Sequence, residues 1–363
     1  MEQRKSALEN LGVILSVMRI LVTGHRGYIG TIAARLFQSH GHQVTGLDSG
    51  LYERCTFGGP LGKEVPDIRK DIRDVALDDL AGYEAIVHLA GLSNDPLGNL
   101  NPALTDEINH RATVRLAKLA KEAGVERFVF SSSCSNYGAS GDNWLDETAN
   151  FNPVTPYGQS KVAAEIGIFP LADDDFCVTC LRSATAYGVS PRIRFDLVLN
   201  NLVAWASTSG LVYLKSDGTP WRPIVHIEDI SQAFLCVLEA RKDLVNGEAY
   251  NVGITEENYQ MRDLANVVVE VVPESRVEYA PDAGPDKRCY RVDCTKIRNT
   301  FPDFQPRWNL RKEAEEISDT ICDIGLGENE FENERFSRIQ HLKFLIGKGV
   351  LGEDLRYRQL EDV

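Results

Sequence analysis

Hydrophobic positions alternate between two periods along the first half of the chain. Ile20, Leu21 and Val22 form a short aliphatic run that reads as a buried strand. From Tyr28 the apolar positions Ile29, Ile32, Ala33, Leu36 and Phe37 take helical spacing. His42–Leu47 predicts a second strand, Val65–Ile68 a third and Ala85–Gly91 a fourth that ends in small residues. An amphipathic helix is predicted over Ile108–Ala123, closed by Gly124, and a strand begins at Arg127–Phe130. Further strands read over Phe176–Leu181 and on towards Gly188, with a helix over Leu197–Ser207. Strand and helix in turn predict a doubly wound α/β fold on a parallel sheet, followed by a smaller α/β lobe. From Lys312 the chain reads as acidic helices, with Phe331, Phe336, Ile339, Leu342, Leu345 and Ile346 at helical spacing, a packing stripe.

Bulk properties narrow the class. Of 363 residues, 43% are hydrophobic and 25% charged, as in ordinary globular proteins. A net charge of −14 argues against binding a nucleic-acid backbone, which needs a positive surface. The eight cysteines have no disulfide rhythm and suit a reducing cytoplasm. Cys177 and Cys180 sit three apart in a strand, on opposite faces, so no metal site is expected. No apolar run approaches the ~20 residues of a membrane span. Residues 1–17 mix charges with a brief apolar patch, show no cleavage site, and read as an N-terminal extension.

The chemistry starts where the first strand ends. Gly24, Gly27 and Gly30, at a spacing of three between strand and helix, permit a tight turn and close backbone approach. The helix start then offers free N–H groups to a pyrophosphate. Asp48 ends the second strand, where a dinucleotide fold holds the adenosine ribose, and its charge favours NAD over NADP. Arg26, inside the glycine turn, is the dissenting signal. Asp71 and Ile72 follow the third strand and are expected to touch the adenine edge, while Leu89, Ala90 and Gly91 would let a cofactor pass the backbone. Tyr157 and Lys161 lie four apart on one helix face, so the ammonium is expected to lower the phenol's pKa from ~10 and prepare it for acid/base work. A serine from Ser131–Ser133 would share the proton.

Taken in order, these residues resemble the extended short-chain dehydrogenase/reductase family, the NAD-dependent nucleotide-sugar epimerases and dehydratases. The matched pieces run from Met18 to about Trp308. They are Thr-Gly-His-Arg-Gly-Tyr-Ile-Gly (23–30), Asp48, Asp71-Ile72, His-Leu-Ala-Gly (88–91), Ser-Ser-Ser-Cys-Ser-Asn-Tyr-Gly (131–138), Pro-Tyr-Gly-Gln-Ser-Lys (156–161) and the stretch Gly218–Asp229. The resemblance implies a Rossmann-type sheet with NAD along Gly24, Arg26, Gly27, Tyr28, Ile29 and Gly30, catalysis by Ser133, Tyr157 and Lys161, and a nucleotide-diphosphate sugar as partner. Ser133, Cys134 and Ser135 would face the sugar. Arg222 takes the place of a diphosphate contact, Asn200 and Asn201 line the nucleotide, and Asp286 and Arg288 lie in a late loop that closes over it. Arg192 and Arg194, ahead of a helix, suit phosphate or a sugar carboxylate, with a solvated loop as the equal alternative.

Dehydratase relatives carry an Asp-Glu pair after the hydroxyl residue, and decarboxylases a glutamate; Cys134 and Ser135 stand there here. The expectation is therefore C4 epimerisation through a transient 4-keto sugar. A 4,6-dehydratase, a decarboxylase or a 4-ketosugar reductase are the alternatives, and a dinucleotide-sensing scaffold is the non-enzymatic one. Expected boundaries are 1–17, a mainly NAD-binding unit 18–180, a mainly substrate-binding unit 181–311 from which the chain crosses back to the sheet, and a helical segment 312–363. Many relatives form homodimers, and the same is expected here.

Overall fold

A computed structural model describes residues 17–57, 65–284, 288–328 and 330–358. The extension 1–16 and Asp286 lie outside the described residues.

Seven parallel strands build the main sheet: β1 (Arg19–Thr23), β2 (Gln43–Asp48), β3 (Asp67–Arg69), β4 (Ala85–His88), β5 (Arg127–Ser133), β6 (Cys177–Ser183) and β7 (Glu248–Val252). Their order is β7-β6-β5-β4-β1-β2-β3. The direction of winding reverses beside β1, which opens a crevice at the carboxyl ends of β1 and β4, where open α/β sheets bind ligands. The central strands are apolar on both faces because both are covered. Ile20 and Val22 enter one core with Phe37 of helix α1 (Gly30–Ser39), while Leu21 enters the other with Leu116 of α2 (Ala112–Glu122). Cys177 and Cys180 split between the same two cores, and among the described residues no cluster could hold a metal ion.

The predicted helix 108–123 is reached through a π-helical stretch, Asp106–Arg111, before α2 begins. Its Asn109 turns inward to bond Leu92 and Ser160, which ties the post-β4 loop to α3 (Pro156–Ile168). The expected boundary at 180 falls within β6, and β7 returns from the second lobe to pair with it.

The second lobe packs α4 (Val198–Ser209) and α6 (Met261–Val271) around a three-stranded sheet through Trp221–His226 and a two-stranded pair. The intervening α5 (Ile227–Glu239) belongs to the first core, facing α1. The C-terminal stripe does not stay on one surface. Ile317 and Ile321 of α7 (Leu310–Ile324), with Phe331 and Phe336, complete the second-lobe core, whereas Leu342 and Leu345 of α8 (Arg338–Gly347) enter the sheet's core. The appendage thus straps the two lobes together. Among the described residues no helix is long and apolar enough to cross a membrane.

Candidate active site

A cleft of about 1110 Å³ runs over the carboxyl ends of the strands, between the lobes. Its cofactor side is shaped by backbone. Gly24 has φ +75°, and a Cβ there would stand 2.8 Å from the Ala90 nitrogen; one at Gly30 would run into the Gly24 carbonyl. Side chains would push the turn off β4 and off its own backbone, so glycine keeps it tight, and no side chain caps the start of α1, which leaves its N–H groups open to an anion. Tyr28, Ile29, Gly27, Leu89, Ala90, Gly91 and Ile72 line the same wall. Asp48 accepts from the backbone N–H groups of Arg26 (3.1 Å) and Gly50 (2.7 Å), which fixes its carboxylate at the cleft edge. The glycine cradle and this carboxylate fit NAD.

Arg26 departs from expectation. Its guanidinium pairs with Glu53 (2.8 Å) and Asp67 (2.7 Å) and does not line the cleft, because two carboxylates hold it outward. Asp71 lines the cleft but is committed to Arg73 at 2.7 Å.

The candidate reactive end, with Ser133, Tyr157 and Lys161, lies where β5 meets α3. Thr155 caps α3, accepting from Gly158 N, and donates to Asp95 Oδ1 at 2.6 Å. This seats Tyr157 against the Asp95–Leu100 turn: a Cβ on Gly98 would be 3.0 Å from the tyrosine Cβ. Ser133 accepts from Ser135 N (3.1 Å) and faces Tyr157. Lys161 donates to the Ser131 carbonyl (2.7 Å) and lies 4.6 Å over the Phe130 ring and 5.9 Å from that of Tyr157. Burial pushes its ammonium down to about 8, against the pull of Glu165. The expected lowering of Tyr157 by Lys161 is not found. Desolvation raises the phenol, while its hydrogen bond with Ser133 and the charge of Arg194 oppose the rise. The lysine is instead spent on the Ser131 carbonyl.

Beneath this pair, Glu165 takes a two-point ion pair from Arg182 (2.7 Å) and bonds Ser132 and Asn136. A buried charge so satisfied fixes the end of β5 relative to α3. Cys134 points into this layer, its thiol donating to the Arg182 carbonyl at 3.1 Å, and burial drives its pKa far up. It does not line the cleft; Ser135 does.

On the substrate side, Arg222 donates to the carbonyls of Trp221 and Arg288, and Arg288 pairs with Asp95 at 2.6 Å, so both arginines meet in the cleft. Asn201 and Arg194 also line it; Arg194 pairs with Asp196 (2.9 Å) and donates to Ser93 Oγ (2.9 Å). Asn200 and Arg192 do not. Asn200 is buried, bonding Gly188, Tyr28 and the Arg194 carbonyl, and Arg192 is buried against the Tyr52 carbonyl. Both brace the loop between the lobes instead of facing a ligand. Sequence reasoning missed Asp95, Tyr52 and Arg338 as cleft residues. Asp95 sat in a polar turn after a recognised strand, while Tyr52 and Arg338 are distant in sequence and carry no local pattern.

A switch-point cleft with a glycine cradle, a carboxylate at the end of β2 and a Ser-Tyr-Lys set has the parts of a dinucleotide-dependent enzyme acting on a hydroxyl-bearing substrate. The model of the NAD dependent epimerase/dehydratase family matches residues 20–253, and the chain belongs to that family. It is similar to a UDP-glucose 4-epimerase of Mycolicibacterium smegmatis, 29% identical over 84% of this chain and 97% of that one. It also resembles the human dTDP-D-glucose 4,6-dehydratase, 28% identical over 77% and 83%. Among solved structures, MoeE5 in complex with UDP-glucuronic acid and NAD superposes with a TM-score of 0.72 at 26% identity, over 84% of this chain and 99% of that one. The chain is an NAD-dependent enzyme of the nucleotide-sugar epimerase/dehydratase type.

Proposed function

We propose that the enzyme epimerises a nucleotide-diphosphate sugar at C4 through a transient 4-keto sugar. The observation that carries this reading is the neutral pair after Ser133. Cys134 is turned away into the Glu165–Arg182 layer, and Ser135 is a hydroxyl. The carboxylate beside Tyr157, Asp95, is held by Arg288 and Thr155. Among the described residues no side chain there is placed to expel water from the sugar, which disfavours dehydration. The UDP-glucose 4-epimerase relative supports the same choice.

NAD supplies the hydride acceptor and donor. Acting as the phenolate, Tyr157 takes the proton of the C4 hydroxyl as the carbonyl forms, and the resulting phenol returns it after the sugar has presented its other face. Ser133 bonds the same oxygen and steadies the phenol, and Lys161 orients the cofactor ribose. Arg222 and Arg288 hold the substrate diphosphate, a task suited to guanidinium forks. The eight free thiols fit a cytoplasmic setting, and the exposed Ile166 on α3 suits a homodimer contact.

The test is a panel of UDP-, dTDP-, GDP- and CDP-sugars followed by NMR. One sugar should convert to its C4 epimer without net reduction of NAD. A 4-keto-6-deoxy product, or stoichiometric cofactor consumption, would refute the proposal. Tyr157→Phe should lower kcat by about 10²–10⁴-fold while NAD still binds; an active variant would remove Tyr157 from its role.

A further inference from the structure

We propose that Arg338, on the C-terminal helix α8, clamps the cofactor: with Arg194 it forms an anion subsite for the pyrophosphate of the dinucleotide. The inference rests on the family's NAD dependence and not on which sugar is bound. Arg338 opens α8, is 3% exposed and lines the cleft. Its guanidinium lies 4.2 Å over the ring of Tyr52, four positions beyond Asp48. One terminal nitrogen makes a long bond, 3.4 Å, to the Arg192 carbonyl, and Nε has no partner. The Tyr52 hydroxyl is also buried without a partner.

Among the described residues no carboxylate pairs with Arg338. Asp196 is the acid that feels it, and Asp196 is already taken by Arg194 (2.9 Å) and Asn94 (2.5 Å). Arg194 and Arg338 therefore share one wall of the cleft, and the carboxylate beside them, Asp196, is already paired. Burial and the charge of Arg194 both push the Arg338 guanidinium down. A buried charge left in that state is half of an ion pair, and it is tolerated where a ligand brings the other half. Ser337 does not cap α8 with its side chain, so the helix start adds its N–H groups to the same positive wall.

Position selects the cofactor over the substrate. Arg338 stacks on the loop that follows the ribose-directed Asp48, and Arg194 acts electrostatically on Tyr28 of the glycine turn as well as on Tyr157. The substrate-side pair, Arg222 and Arg288, is a separate group tied to Asp95. One cleft thus carries two arginine groups, matching two diphosphates. Arg338 lies outside residues 20–253, so the strap that joins the lobes is also part of the cofactor site. An enzyme whose cofactor must take and return the same hydride gains from such retention.

The test uses the full-length chain, freed of cofactor, with Arg338→Met and Arg338→Lys. Calorimetric titration with NAD should show a Kd about 10- to 100-fold weaker for Arg338→Met, the loss of one charge-assisted bond, and an intermediate value for Arg338→Lys. Affinity for the nucleoside diphosphate bound by the wild type, chosen from UDP, dTDP, GDP and CDP, should not change. Ligand-free Arg338→Met should melt no lower than wild type, since an unpaired buried charge is gone, yet gain less from added NAD. Unchanged NAD affinity overturns the proposal. A fall in nucleoside-diphosphate affinity alone also overturns it and reassigns the arginine to the substrate anion. If Arg338→Met does not fold, Arg338→Lys decides by the same titration, and wild-type NAD affinity there overturns the clamp.

Discussion

Lys161 offers a quantitative check on the electrostatics of the reactive end. Burial lowers its ammonium from 10.5 to about 8. The folded state thus binds this proton more weakly than the unfolded chain, so the group destabilises the fold. The cost is full below about pH 8, shrinks as pH rises, and is gone once the unfolded lysine also loses its proton near 10.5. With 1.36 kcal/mol per unit, the penalty is about 3 kcal/mol at pH 7 and about 1.4 kcal/mol at pH 9.5. Lys161→Met removes it but strands the Ser131 carbonyl, which accepts at 2.7 Å, at a cost of about 1–3 kcal/mol that does not depend on pH. In urea titrations of the cofactor-free protein, the stability of Lys161→Met relative to wild type should therefore fall by about 2 kcal/mol between pH 7 and 9.5. A difference that stays flat or grows with pH would refute the reasoning and place the lysine in an environment that favours its charge.

Three further outcomes follow from buried groups. Glu165→Ala should cost about 3–5 kcal/mol in chemical denaturation, because it leaves Arg182 charged and unpaired, and Arg182→Met added to it should recover part of the loss. Glu313 lies 3.1 Å from His226, and burial sends the two in opposite directions, Glu313 up to about 8 and His226 down to about 4, so both are neutral near pH 7. Its raised carboxyl makes the fold lose stability as pH climbs from 4.5 to 8; Glu313→Gln should be tolerated, with a relative stability that increases across that window in thermal melts. Cys134→Ala should keep the kcat of the wild type in the epimerase assay, since the thiol bonds the Arg182 carbonyl and does not reach the cleft; a large loss would return Cys134 to acid/base work.

The local pattern determined the sheet, its parallel winding and the glycine cradle, because strand runs, helix periodicity and a positive-φ turn are encoded within a few residues of each other. It also placed Ser133, Tyr157 and Lys161, whose spacing is set by one strand end and one helix turn. Direction and charge balance were decided elsewhere. Arg26 points away because Glu53 and Asp67 compete for it, and Asn200 and Arg192 brace a loop. Lys161 answers to a carbonyl and not to the phenol. The C-terminal stripe, uniform as a sequence, divides between two cores and brings Arg338 to a loop nearly three hundred residues earlier. These outcomes depend on which groups meet across the chain and on how little water remains between them, and neither is written in any single stretch.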